Sequence, residues 1–76
     1  MKLYEFLLKE EQLQYQIVWE IGKHVETVYL GNVMYLLYAV NDFFVEIQYN
    51  RRTNVIIGKN QFKQGEHLDK YLPPIL

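Results

Sequence analysis

Apolar positions fall in two rhythms along the chain, one helical and one extended. Leu13, Ile17 and Ile21 recur at i, i+4 and i+8, with Val18 widening the stripe, and Leu3, Phe6 and Leu7 make a similar stripe upstream. Such spacing gathers side chains on one side of an α-helix, and the Leu, Glu, Gln and Lys around them are good helix formers. A helical segment over residues 2–21 is therefore expected, closed by Gly22 as a left-handed C-terminal residue. One continuous helix would carry Glu10 and Gln14 in its apolar face. The pattern thus allows one long helix, or two short ones with a break near Lys9-Glu10.

From Lys23 the chain turns to β-branched and aromatic runs divided by short polar pairs, the signature of strands. Gly31-Asn32 and Asn41-Asp42 suit two-residue hairpin loops. They predict strands at about 23–30, 33–40 and 43–49, with Leu30 opposite Val33 and Val40 opposite Phe43. Propagating both registers puts Val25, Thr27, Tyr29, Met34, Leu36, Tyr38, Val40, Phe43, Val45, Ile47 and Tyr49 on one face. That face is almost wholly apolar, so turn chemistry and side-chain alternation agree. Arg51-Arg52-Thr53-Asn54 then leads into a fourth strand at about 55–62, pairing Tyr49 with Ile56 and setting Lys59 opposite Glu46 on the other face. Gly58 marks a bulge or the close approach of another segment. Residues 66–72 suit a short helix, stopped by Pro73-Pro74. The expected architecture is α+β: a single domain over 1–76, its N-terminal helical segment packed on a four-stranded antiparallel meander, with a short C-terminal helix.

Composition narrows the chemistry. A chain of 76 residues makes one domain, and one this small depends on an efficient core, a staple or a partner. There is no cysteine and no serine, which removes disulfides, thiolate metal sites and the commonest hydroxyl nucleophile. A net charge of -1 provides no global field for nucleic acid or an anionic membrane. The N-terminal residues lack the pattern of a signal peptide, and the apolar run Val33 to Val40 is too short to span a bilayer as a helix. A soluble cytoplasmic protein without membrane attachment is expected.

Several stretches together resemble a group of short uncharacterised bacterial proteins. They are Glu11-Gln12-Leu13-Gln14-Tyr15 with Trp19 and Gly22, Phe43-Phe44-Val45-Glu46 with Tyr49, Phe62-Lys63, and Leu68-Asp69-Lys70-Tyr71-Leu72. The resemblance implies a helix followed by an antiparallel meander, and it implies no activity.

Three constellations could carry function. The second sheet face collects Val28, Leu30, Val33, Tyr35, Leu37, Ala39, Phe44, Val55 and Ile57, interrupted by Glu26, Glu46, Gln48 and Lys59. A solvent-facing strand face is normally more polar than this. The leading expectation is accordingly a non-enzymatic interaction module that forms a homodimer, or binds another protein, through Val28, Val33, Tyr35, Leu37, Phe44 and Ile57. Arg51 and Arg52, with Lys59 and Lys63, form the one basic cluster; beside sheet aromatics they offer an alternative as a nucleic-acid-binding surface. His24 and Glu26, two apart on one strand, offer a second alternative as a small-molecule or metal site. The carboxylates of Glu26 and Glu46 stand an intervening strand apart, ~9–10 Å, too far for a shared ion. No catalytic residue, cofactor or metal ligand is assigned.

Overall fold

The computed structural model describes residues 1–63 and residue 71. The chain starts as Lys2 N–H donates to Glu5 Oε1 at 2.9 Å, which opens α1, Leu3–Leu7. Leu8 and Lys9 N–H close onto the Glu5 and Phe6 carbonyls, Glu10 is extended, and α2 runs Glu11–Ile21. The helical segment is therefore two helices. Gln14, whose polarity would have spoiled one long helix, fastens the break. It is buried in α2, and its Nε2 donates to the Phe6 carbonyl at 3.0 Å and the Lys9 carbonyl at 3.1 Å. The inward line of α2 is Gln14 and Val18, with Tyr15 and Ile17 half-buried beside it. Leu13 and Ile21, expected inside, remain exposed. Gly22 corrects another expectation. Its φ of -72° and ψ of 143° are extended, not left-handed. Glycine is needed because a Cβ would lie 2.5 Å from the Val18 carbonyl oxygen.

Four strands follow: β1 Lys23–Leu30, β2 Val33–Val40, β3 Phe43–Asn50 and β4 Ile56–Phe62. They pair in chain order as an antiparallel meander. Gly31 and Asn41 open the two hairpin loops with φ of 59° and 53°, the left-handed conformation for which Gly and Asn are suited. Leu30 faces Val33, Val40 faces Phe43 and Tyr49 faces Ile56, as the turns predict.

Two bulges change the outer strands. In β1 the register shifts between His24 and Glu26, so His24, not Val25, stands opposite Tyr38. In the β3–β4 ladder the register shifts between Gln48 and Tyr49, so Lys59 stands opposite Ile47 and Asn60 opposite Glu46. The expected Lys59–Glu46 pair is not formed, because one extra residue moves every later side chain to the other face. Gly58 sits at this second bulge, and among the described residues none other than its chain neighbours comes within 4 Å of where its Cβ would lie.

The core lies between the helices and one sheet face. Phe6, Val18, Val40, Phe43, Val45 and Ile47 form a single buried cluster, with the Phe6 and Phe43 rings 5.2 Å apart. On the opposite face Leu37 is 1% and Glu46 0% exposed, and the Tyr71 hydroxyl donates to Glu46 Oε2 at 2.8 Å. Apart from Tyr71, the expected helix at 66–72 lies outside the described residues. The fold is α+β, a small helical part on a four-stranded antiparallel meander.

Candidate functional site

The dimensions of α2 leave part of the sheet uncovered. Its 11 residues reach ~16 Å, whereas eight-residue strands run ~26 Å and four of them span ~19 Å. Three rows cross the helix-bearing face: His24, Tyr38, Val45 and Gln61; Thr27, Leu36, Ile47 and Lys59; Tyr29, Met34, Tyr49 and Ile56. The last row lies farthest from α1. There Tyr29 is 56% and Ile56 38% exposed, while Met34, Tyr49 and the neighbouring Leu36 are half-buried. This end of the face is an open apolar shelf.

Aromatic side chains build its wall. Tyr15 and Trp19, one helical turn apart, stack with centroids 6.4 Å apart. Trp19 meets the Tyr38 ring edge-on at 5.8 Å and stays 47% exposed. His24, brought to this face by the bulge, meets the other edge of the cluster: its ring is 5.7 Å from that of Tyr38 and its Nε2 is 2.7 Å from Thr27 Oγ1. Two cations lie over the shelf's rings. The Arg51 guanidinium sits 4.7 Å above Tyr29, held by its Nη1 donating to the Gly31 carbonyl and its backbone N–H donating to that of Asn32. Lys59 Nζ sits 5.4 Å from the Tyr15 centroid. Both are cation–π geometries. Among the described residues the ion pair is Lys63 with Asp42, so neither Arg51 nor Lys59 is neutralised by a carboxylate there.

Tyr15, Tyr38 and Tyr49 keep their protons. Burial raises the hydroxyl pKa of Tyr15, helped by Glu11 and Tyr49; burial also raises that of Tyr38, helped by Tyr49, and that of Tyr49 itself. The shelf thus carries the cations Arg51 and Lys59 over an apolar ground, with Glu11 beside Tyr15 at its α2 edge. Such a surface suits a ligand that combines apolar side chains with anionic groups.

The other candidate residues are arranged differently. Of the six expected interface residues, Leu37 is sealed within the single chain, Val28, Val33, Tyr35 and Phe44 are half-buried, and Ile57 is largely exposed. Arg51 and Arg52 occupy the β3–β4 turn, but Lys63 lies beyond the far end of β4 beside Asp42. The four basic residues therefore do not form one patch; only Arg51 and Lys59 share the shelf. His24 and Glu26 do not share a face, because the bulge separates them. Glu26 stands opposite Leu37, and its Oε1 accepts the Thr27 N–H at 3.0 Å. Among the described residues no three His, Asp or Glu side chains converge on a metal-sized site, and no helix is long and apolar enough to cross a membrane. An open groove of about 430 Å³ beside α1 is lined by Lys2, Leu3, Tyr4, Leu7 and Lys63.

Compared with known proteins, the chain matches no family model, no curated protein and no solved structure. Alternation places Tyr29 on this face, but Lys59 reaches it only through the second bulge, and Tyr15 and Trp19 belong to the helix, where strand alternation says nothing. The length of the helix set against the length of the strands is the signal that points to them.

Proposed function

We propose that the chain is a non-enzymatic protein-interaction module, and that its working surface is the open shelf on the helix-bearing face. One observation carries this reading. Tyr29, Trp19 and Ile56 are exposed together around half-buried Met34, Leu36 and Tyr49, under the two cations Arg51 and Lys59. Contiguous apolar surface rimmed by charge favours association with another surface, and aromatic and arginine side chains carry most of the energy at such contacts. The occupant that matches is an amphipathic polypeptide segment with carboxylates at its edges.

The test is titration with a synthetic helical peptide of leucine and glutamate, followed by the fluorescence of Trp19. A saturable blue shift is expected, abolished in Tyr29→Ala and weakened in Arg51→Ala and by added salt. No response to this peptide, or saturable binding of single-stranded RNA in its place, would overturn the reading.

A further inference from the structure

Helix α2 has the chemistry that the shelf calls for. Its two charged residues are both acidic, Glu11 and Glu20, and they stand nine positions and hence half a turn apart: Glu11 lies beside Tyr15 at the chain's own shelf, which leaves Glu20 as the outward carboxylate. Leu13 and Trp19, on the flanks of that outward side, are also exposed. The cations over the shelf, Arg51 and Lys59, lack carboxylate partners among the described residues. The shapes correspond as well: α2 rises as a ridge over one part of the sheet face and the shelf is the step beside it. A profile of one ridge and one step is self-complementary under two-fold rotation, the commonest symmetry for identical chains.

Resting on the shelf as the working surface, we infer that its partner is a second copy of this chain, whose acidic α2 lies in the shelf while the shelf of that copy receives the first chain's α2. Each contact then sets Glu20 of one α2 toward the cations Arg51 and Lys59 over the other chain's aromatic floor, and it occurs twice. The dimer forms through the helix-bearing face, not through the face that carries Leu37 and Glu46.

The experiment is a reciprocal charge swap read by sedimentation velocity up to high micromolar concentration, with circular dichroism to confirm folding. One variant carries Arg51→Glu and Lys59→Glu, the other Glu20→Lys. Wild type is expected to double its mass with rising concentration. Each variant alone sets like charges against each other in both contacts and should stay monomeric. Their equimolar mixture restores opposite charges in both contacts and should return to dimer. If the double variant fails to fold it is replaced by Arg51→Glu alone, mixed in the same way; Glu20 is exposed, so Glu20→Lys leaves the core untouched. A monomeric wild type, or variants that dimerise as well alone as mixed, would overturn the inference. If wild type is monomeric but still binds the leucine–glutamate peptide at Trp19, the self-pairing fails and the shelf as a docking surface stands. If it binds neither, both fall.

Discussion

Replacing Gln14 by leucine removes two hydrogen bonds while nearly preserving side-chain volume, and the cost can be worked from the geometry. The Phe6 carbonyl keeps a second donor, Lys9 N–H at 3.1 Å, so losing Gln14 Nε2 weakens it without stranding it. The Lys9 carbonyl loses the side-chain donor that reached it at 3.1 Å in a partly buried site. A net ~1 kcal/mol for each bond, plus part of the penalty for an unsatisfied carbonyl, gives about 2–3 kcal/mol. For a domain of this size that corresponds to a fall in Tm of about 10–20 °C. The measurement is urea unfolding of wild type, Gln14→Leu and Gln12→Leu, the last placing the same change on the exposed side of α2. Gln14→Leu should lower the midpoint with an unchanged slope, while Gln12→Leu should stay within ~0.5 kcal/mol of wild type. A Gln14→Leu variant as stable as wild type would refute the claim that this amide fastens α1 to α2. The placement of the shelf's wall would then need another cause.

Two further outcomes follow from the burial pattern. Leu37→Glu should destabilise the monomer by several kcal/mol, because the carboxylate would enter a site that is 1% exposed beside buried Glu46; a thermal melt that matched wild type would show that this face is open. Stability should also fall at alkaline pH. Burial raises the pKa of Tyr15, Tyr38 and Tyr49, and that of Tyr71 rises further through burial and its hydrogen bond to Glu46. A hydroxyl with a higher pKa folded than unfolded contributes fully below the ordinary value of 10.0. That contribution is lost as pH rises through the folded values. Tyr71→Phe should lower stability at neutral pH and flatten this alkaline decline, and an unchanged decline would remove Tyr71 from the account.

The parts of the fold written in local chemistry could be read directly. Gly31-Asn32 and Asn41-Asp42 demand tight loops, and strict alternation between them leaves one register for β2 and β3, so the core line Val40, Phe43, Val45 and Ile47 follows. Bulges are not written this way. Val25 for His24 looks like the better core residue by hydropathy, and the shift that favours His24 appears only when its ring meets Tyr38 and Thr27. Lys59 reads as a surface residue opposite Glu46, yet its long stem lets it lie on the helix-bearing face with the ammonium over Tyr15. In α2 the inward Gln14 was hidden because its partners are backbone carbonyls eight and five residues away, which no side-chain pattern reveals. The shelf depends on both bulges and on this break. Its members were named in the sequence, but their gathering is tertiary.

Trp19 gives the most direct measurement, since it is the one tryptophan and stands in the wall of the shelf. Its emission should be followed as wild-type chain is diluted from high to low micromolar concentration, beside the mass measured at each point. Association through the shelf predicts a blue-shifted, quencher-protected Trp19 in the dimer and a red shift on dilution, with the same midpoint as the loss of mass. A mass that halves while Trp19 emission and quenching stay constant would contradict the account, because the copies would then be joined through another face.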